Sequence, residues 1–284
     1  MNPSYADKLA KKLKNRWHRL LTAYYSALNQ EIYILSYPKS GRTWLRVLLG
    51  KIFQELGYLS EADIVQDQSF PPAWGLPPVY WSHEDSAMVY HLPYGELSPD
   101  KSSYRGKKVV ILSRDVKDTL VSAYFQATKR IHVFDGSIAE FIRDDRYGAK
   151  KILAYYHHWE QNLDIPQQVH LMRYEEMNAN LEQELEKLLI FLGLGQVNAS
   201  LRHQAIEFAS FDNLKHLEQK NYFKSEILRP GDRKDPNSFK VRQGKVGDYV
   251  NHFSPGDIAY VDEQIAAFGL SRILGNVSAA NPNP

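Results

Sequence analysis

The chain of 284 residues contains no cysteine, so disulfides, thiolate metal sites and cysteine nucleophiles are excluded. It also has no apolar run approaching the roughly 18 residues that a membrane-spanning helix needs. The formal net charge is only +2, which gives no reason to expect nucleic acid or an acidic partner. The N-terminus lacks the apolar core of a secretion signal, and together these absences favour a cytoplasmic location.

Strand and helix patterns alternate along most of the chain. Strands are predicted at about 31–37, at "KKVVILSR" and at "QVHLMRY", with shorter candidates ending at His83 and near His91. Alternation of this kind predicts an α/β fold, with a mainly parallel sheet covered by helices on both faces. We expect residues 1–30 to form a basic amphipathic helix and residues 31–284 to form a single domain. Single helices are predicted over about 42–56, 115–130, 175–193, 198–209 and 255–268, and two helices are predicted within 137–163.

The stretch "ILSYPKSGRTWLRVLLG" joins the first strand to the first helix of this pattern. A strand, a tight glycine turn and a helix start form a phosphate cradle, because backbone N–H groups and the helix dipole point at the anion. Gly41 permits close approach of the backbone, Lys39 supplies a flexible positive charge, and Ser40 and Thr43 carry hydroxyl donors. The turn lacks the spelling G-x-x-x-x-G-K-[ST] of ATP and GTP loops, so we expect it to hold a different phosphate compound.

The eight residues "YPKSGRTW" resemble the phosphosulfate-binding loop Tyr-Pro-Lys-Ser-Gly-Thr-Thr-Trp of a known enzyme family. These are the sulfotransferases that use 3′-phosphoadenosine 5′-phosphosulfate (PAPS), and only Arg42 departs from their pattern. The resemblance implies a P-loop-like fold, PAPS as sulfate donor, 3′-phosphoadenosine 5′-phosphate (PAP) as product, and no metal. It also implies that Lys39 stabilises the leaving phosphate oxygen and that Trp44 stacks on adenine. Arg42 is one of the nucleotide-binding candidates. Its side chain could contact the nucleotide, the acceptor or solvent, and the sequence does not distinguish these three.

Two further segments resemble parts of the family's 3′-phosphate site. Arg114 follows a buried strand, and Ser122 lies eight residues later in the next helix, as in the family motif. The segment "KVRQGKVGDYVNHF" resembles the family's C-terminal loop, with Arg242 and Gly244 matching and Gln243 standing where the family has lysine. An arginine fork suits a phosphate dianion, and a serine hydroxyl adds a donor.

Other family positions match more weakly. Phe211 in "ASFDNLKHL" corresponds to a residue of the adenine pocket, and Tyr174 in "RYEEM" corresponds to a tyrosine that reaches the nucleotide. We interpret Lys240 and Lys245 as members of a basic, glycine-rich surface loop.

Sulfuryl transfer requires a general base for the acceptor hydroxyl, and histidine is suited to that role. His83 ends a strand-like run and precedes two acidic residues, a pattern typical of bacterial-type members of the family. His91 lies in a His-Leu-Pro segment, which is also found in the family, at about the usual distance before Arg114. We favour His83 and retain His91 as the alternative.

The predicted activity is transfer of a sulfuryl group to a hydroxyl of an alcohol, sugar or glycolipid. Two alternatives remain, an inactive module that binds PAP or PAPS and a P-loop kinase of a small molecule. Residues 8–28 combine an apolar stripe with many basic residues, which suits peripheral contact with an anionic membrane. We prefer a helix packed on the domain with a solvated basic face. Oligomeric state stays open.

Overall fold

The computed structural model describes residues 5–28, 30–65, 69–73 and 75–275, without the side chains of residues 5–8, 10 and 11. Within this part of the chain, five strands form one sheet in the order β2-β3-β1-β4-β5. Strand β1 pairs in parallel with β3 and β4, β5 is parallel to β4, and β2 is antiparallel to β3 at the edge. The predicted mainly parallel sheet is confirmed. The strands are β1 (Ile32–Ser36), β2 (Ser69–Phe70), β3 (Val79–Ser82), β4 (Lys108–Ser113) and β5 (Gln168–Arg173).

Ten α-helices lie in the described residues, and short 3₁₀ turns occur between some of the elements. The first half of the chain contributes α1 (Tyr5–Ala27), α2 (Arg42–Glu55), α3 (Val116–Lys129), α4 (Ile138–Arg143) and α5 (Ala149–Glu160). The second half contributes α6 (Tyr174–Ala179), α7 (Leu181–Leu192), α8 (Ala199–Phe208), α9 (Phe211–Lys220) and α10 (Pro255–Phe268).

Both faces of the sheet are buried, because successive side chains of a strand point to opposite faces. In β4, Val110 and Leu112 join one apolar cluster, and Val109 and Ile111 join the other. Helices α2 and α7 cover the first face, while α3 and α5 cover the second. The continuous apolar run of this strand, which sequence analysis singles out, therefore reflects burial on both sides.

The carboxyl ends of four parallel strands lie at one edge of the sheet. In the register of these strands, Leu35 pairs with Ser82, and Ser113 pairs with Arg173. The loop after β1, His83 after β3, Arg114 after β4 and Tyr174 after β5 therefore emerge side by side. Ligands of open α/β sheets bind at this edge, which is where the candidate residues collect.

Three local predictions are wrong. The strand expected near His91 is a 3₁₀ turn over Met88–Tyr90, and His91 itself has φ of 55°, which no strand accommodates. The two-residue strand β2, which pairs with the edge of β3, is absent from the predicted strands. Helix α9 is absent from the predicted helices, although its Leu214 and Leu217 are buried in the core.

Helix α1 contacts the domain through only part of its surface. Leu21 and Tyr25 are buried, and the Tyr25 hydroxyl donates to the Ala73 carbonyl and accepts from the Gly75 N–H. The predicted apolar stripe is exposed instead, with Leu13 at 57% and Trp17 at 56% exposure. The helix therefore contacts the domain, but it does so through residues outside the predicted stripe. Leu9, Leu20, Tyr24 and Leu28 are exposed as well, while the side chains of Lys8 and Lys11 lie outside the described residues. Within the described residues, no helix is long and apolar enough to span a membrane.

Candidate active site

A cavity of about 230 Å³ opens at the carboxyl edge of the sheet. Most of the residues that sequence analysis proposes as catalytic or nucleotide-binding line it, although they come from distant parts of the chain. They are Lys39, Gly41, Arg42, Thr43, Trp44, His83, Arg114, Ser122, Tyr174, Phe211, Arg242 and Gly244. Ser40 and His91 are the two candidates that do not line this cavity.

The loop after β1 has the backbone of an anion cradle. Lys39 and Gly41 have φ of 76° and 99°, and Gly41 is the N-cap of α2. A Cβ at Gly41 would lie 2.6 Å from Cδ2 of Tyr174, so the close packing of this loop on α6 requires glycine. Ser40 is fully buried, and its hydroxyl lies 3.0 Å from the hydroxyl of Tyr156. Its side chain therefore fixes the loop to α5 and does not point into the cavity.

Lys39 extends into a strongly positive environment. Its Nζ donates to Oε1 of Gln126 at 3.3 Å. Burial, and then the positive charges of Lys240 and Arg130, lower the pKa of Lys39 well below its ordinary value. Repulsion from the neighbouring cations destabilises the charged form of this lysine, and a bound anion stabilises that form by offsetting the repulsion.

His83 is held in one orientation by the neighbouring strand. Its Nδ1 lies 2.6 Å from the carbonyl oxygen of Ser36 and 3.3 Å from the Ser36 hydroxyl. A carbonyl oxygen only accepts hydrogen bonds, so Nδ1 carries the proton and Nε2 keeps its lone pair. Burial, and then the positive charge of Arg42, lower the pKa of His83 well below its ordinary value. The ring is therefore neutral at neutral pH.

The two acidic residues after His83 have structural partners. Glu84 accepts hydrogen bonds from Lys101 at 3.0 Å and from the Trp159 indole at 2.6 Å. Asp85 accepts from the backbone N–H of Ser98 at 2.6 Å. These contacts hold the segment after β3 against α5 and the 98–101 loop.

His91 lies elsewhere. It is exposed, and its Nδ1 contacts the hydroxyl of Tyr147. The structure thus brings one of the two candidate histidines, His83, together with Lys39.

Arg114 connects three segments of the site. Its guanidinium lies 4.3 Å from the centroid of the Tyr174 ring. The same group donates to the carbonyl oxygens of Lys39 and Lys245, at 3.3 Å in each case. Ser122 lines the cavity from α3. Both members of the pair that sequence spacing predicts therefore line the cavity.

The C-terminal loop is anchored by an acid of α3. Asp118 accepts hydrogen bonds from the backbone N–H groups of Gly247 at 2.7 Å and of Tyr249 at 3.1 Å. Asp118 is not among the candidate residues of the sequence, although it lies between Arg114 and Ser122. Its role depends on a contact across 129 residues, which no local pattern shows.

Gln243, which replaces the family lysine, belongs to an ion-pair network. Arg242 donates to Asp248 at 2.8 Å, and its guanidinium lies 4.5 Å from the centroid of the Phe125 ring. With its amide oriented to suit both neighbours, Gln243 donates to the Asp248 carboxylate and accepts from Arg242. Gly244 has φ of 67°, and a Cβ there would lie 2.5 Å from the Phe211 ring. The loop therefore packs directly on the residue expected to contact adenine.

Lys240 corrects the interpretation of this region as a plain surface loop. It is partly buried and lines the cavity, and its backbone N–H donates to Glu218 at 2.6 Å. Burial, and then the charges of Arg130 and Arg42, lower the pKa of Lys240 to about 7. Lys245 is exposed at the rim, as expected. Arg46 also lines the cavity and is not among the candidate residues of the sequence, although it is the fourth residue after Arg42 on the helix that begins at the anion loop.

Comparison with known proteins decides the family. Residues 29–268 match the model of the family described as "Sulfotransferase domain". The protein belongs to the sulfotransferase family. It is a PAPS-dependent sulfotransferase, as the loop "YPKSGRTW" predicts. This assignment favours the sulfotransferase interpretation over that of a kinase.

Named relatives and a solved structure agree with the assignment. Cytosolic sulfotransferase 3 of Arabidopsis thaliana is 30% identical over 79% of this chain and 72% of its own. Flavonol 4'-sulfotransferase of Flaveria chlorifolia is 24% identical over 87% of this chain and 82% of its own. The crystal structure of mouse sulfotransferase SULT7A1 complexed with PAP superposes with a TM-score of 0.59 at 22% identity, covering 89% of each chain. The likeness to that structure shows the sulfotransferase fold. The expectation of a bacterial-type member has no support from these relatives.

The residues of this sulfotransferase suit the donor that its family uses. Two phosphate groups can bind to the glycine turn at Gly41 and to the positive side chains of Lys39 and Arg114. A purine can pack against the flat apolar ring of Phe211. Among the described residues, no three His, Asp or Glu side chains are grouped so as to hold a metal ion.

Proposed function

We propose that Lys39 and His83 are the catalytic residues for sulfuryl transfer to a hydroxyl of an alcohol, sugar or glycolipid. The observation that carries this proposal is that a neutral histidine with its Nε2 lone pair retained and a partly buried lysine line the same cavity. Bound PAPS supplies the activated sulfuryl group. Nε2 of His83 accepts the proton of the acceptor hydroxyl, and Nζ of Lys39 stabilises the negative charge that develops on the leaving phosphate oxygen.

The remaining candidates hold the donor. Backbone N–H groups at the start of α2, including those of Arg42 and Thr43, bind the 5′-phosphate end. Arg114 and Ser122 bind the 3′-phosphate, and Arg242 and Gly244 belong to the loop that closes over it. Trp44, Tyr174 and Phe211 enclose the adenine. Ser40 contributes through its backbone and through the fixed position of the loop, because its hydroxyl faces Tyr156.

Thermal melting with PAP, ATP and GTP, followed by sulfate transfer from PAPS to a panel of hydroxyl compounds, tests this function. We expect stabilisation by PAP and transfer to at least one alcohol, phenol, sugar or glycolipid. Stabilisation by PAP without transfer to any member of the panel would indicate an inactive PAP-binding module. Stabilisation by ATP alone would contradict the proposal.

We further propose that the protein is cytoplasmic and contacts the surface of an anionic membrane through residues 8–28. The stripe of α1 that includes Leu13, Trp17 and Leu20 is exposed, and the sequence from Lys8 to Gln30 carries six Lys or Arg residues and no acid. A helix with an apolar stripe and a basic surface suits the interface of an anionic bilayer. Vesicle binding by variants altered in this stripe tests the proposal.

A further inference from the structure

The cavity carries more positive charge than donor binding accounts for. Asp248 is the one acidic residue among those that line it, and this carboxylate is bound to Arg242. The donor motifs assign Lys39, Arg114 and the C-terminal loop to the phosphates of PAPS. The side chains of Arg42, Arg46 and Lys240 have no assignment there, although the backbone N–H of Arg42 belongs to the proposed anion loop. The cationic residues that line the cavity are Lys39, Arg42, Arg46, Arg114, Lys240, Arg242 and Lys245.

The three unassigned cations share the cavity with the proposed base. Arg42, Arg46 and Lys240 line it together with His83, and Arg46 packs on Trp81, two residues before His83. Each of the three positive charges lowers the pKa of His83, and Arg42 and Arg46 also lower the pKa of Lys240. Because Coulomb interactions weaken with distance, the three charges lie within electrostatic range of the imidazole and of one another. We call them the Arg42–Arg46–Lys240 cluster.

The cluster is held in place by the fold. Arg46 is 1% exposed, and its guanidinium lies 4.9 Å from the centroid of the Trp81 ring on β3. Lys240 is fixed through its backbone N–H, which donates to the fully buried Glu218. Glu218 also accepts from the N–H of Val241 at 2.8 Å and lies 3.4 Å from Arg130. This acid is engaged by several donors, and the positive charges of Arg130, Arg42 and Arg46 outweigh its effect on Lys240.

Like charges held together in a partly desolvated cavity repel one another, and a bound anion relieves the repulsion. We propose that the Arg42–Arg46–Lys240 cluster binds an anionic group of the acceptor, so that the preferred substrate is a hydroxyl compound that also carries a carboxylate, sulfonate or phosphate group. This inference rests on the proposed function of the cavity and names the substrate class for it. It also assigns Arg42, the departure from the family loop, to acceptor selection.

Binding to the protein–PAP complex tests the inference without turnover. Isothermal titration calorimetry compares 2-naphthol with 6-hydroxy-2-naphthoate, 6-hydroxynaphthalene-2-sulfonate and 6-hydroxy-2-naphthyl phosphate, which share one ring system and one hydroxyl. We expect at least one anionic compound to bind at least about tenfold more tightly than 2-naphthol, in line with a charge-assisted hydrogen bond. The order of affinities among the three anionic compounds identifies the anionic group that the site prefers.

Variants of the cluster test whether its side chains cause the tighter binding of the anionic compounds. Lys240→Met keeps the length of the side chain and removes its charge, so we expect it to abolish most of the preference for the anionic compound. PAP and 2-naphthol affinities should stay within about threefold in this variant, since a single charged hydrogen bond to the anion is lost. Arg42→Thr restores the family residue and should reduce the same preference. Lys220→Met, on the exposed end of α9, is the matched control and should leave all affinities unchanged.

A second readout is the pH dependence of anion binding. Lys240 is charged below its pKa of about 7, so affinity for the anionic compound should fall as pH rises from 6 to 8. Arg42, Arg46, Arg130, Glu218, Lys39 and His83 are the other charged or titratable groups facing Lys240 or its neighbours in the cavity. The contribution of Lys240 is therefore the part of the pH dependence that Lys240→Met removes.

Equal affinity for 2-naphthol and all three anionic compounds overturns the inference, as does an anion preference that survives in both Lys240→Met and Arg42→Thr. These results differ from a failure of the proposed function. If PAP binds and sulfate is transferred to neutral acceptors without any anion preference, the inference alone fails. If PAP does not bind, the proposed function fails with it.

Discussion

Nδ1 of His83 lies 2.6 Å from the carbonyl oxygen of Ser36, which joins the carboxyl ends of the neighbouring strands β3 and β1. Ser36 immediately precedes the loop that contains Lys39. The same contact therefore fixes the imidazole tautomer and sets its position relative to the anion loop. Pairing of two parallel strands therefore brings the proposed base, His83, and the proposed catalytic lysine, Lys39, into one cavity.

The pH dependence of the rate should follow from the environment of His83. The base acts in its neutral form, and burial together with Arg42 lowers the pKa of His83 well below its ordinary value of 6.5. Protonation, and with it loss of activity, should therefore set in only as pH falls below 6.5. A profile of kcat/KM against pH measures this. An acidic limb with its midpoint at or above 6.5 would contradict the assignment.

Replacing Gly41 by alanine should weaken nucleotide binding. The residue has φ of 99°, and a Cβ would lie 2.6 Å from Cδ2 of Tyr174. Backbone strain of this kind costs about 1–3 kcal/mol, and here it acts on the anion loop itself. PAP affinity measured by calorimetry should fall about 5- to 150-fold on this basis. Gly57→Ala is the control, since Gly57 has φ of 78° with no atom within 4 Å of the added Cβ. Equal PAP affinities in the two variants would argue against a role for the Gly41 cradle.

Asp118→Asn should loosen the C-terminal loop. The carboxylate accepts the N–H groups of Gly247 and Tyr249, and an asparagine amide can accept only one of them. An unsatisfied N–H costs about 1–3 kcal/mol, so PAP affinity should fall roughly 5- to 150-fold. Asp212→Asn, at an exposed acid of α9, should have no effect on PAP affinity. Unchanged affinity in Asp118→Asn would show that the loop does not need this anchor.

Removing apolar side chains from α1 should reduce membrane binding. The double variant Leu13→Gln with Trp17→Gln takes away two exposed side chains, and burying each in a bilayer contributes about 1.5–3 kcal/mol. Co-sedimentation with phosphatidylglycerol vesicles should fall by more than tenfold on this basis. Ile190→Gln is the matched control, because Ile190 is 64% exposed on a different surface.

Two results would contradict membrane contact. One is absence of binding to phosphatidylglycerol vesicles by the unaltered protein. The other is self-association through the same stripe, seen in sedimentation equilibrium as a dimer that the double variant abolishes.

Much of the site follows from local sequence, because its parts are strand-to-loop junctions. The strand, glycine turn and helix around Lys39 are recognisable from apolar periodicity and turn chemistry, and so is the buried strand before Arg114. Parallel pairing then places these junctions at one edge without further information. The mainly parallel sheet and the family are confirmed on this basis.

The remainder depends on contacts between distant segments. Lys240 lies in a polar, glycine-rich stretch, and only its packing against Glu218 and Arg130 makes it a partly buried lysine of the cavity. Likewise, the spacing around Asp118 does not show that its carboxylate binds a loop 129 residues away. On α1, Leu21 and Tyr25 face the domain and Leu13 does not, a choice that depends on where the helix meets the residues around Ala73.

The most direct test of the central claim is the rate of sulfate transfer by His83→Ala, measured in single turnover with PAP affinity determined in parallel. We expect the rate to fall by ~10² to 10⁴-fold, the usual contribution of a general base, while PAP affinity is retained. His91→Ala is the matched control and should transfer sulfate at the unaltered rate. A full rate in His83→Ala, or a loss confined to His91→Ala, would contradict the account.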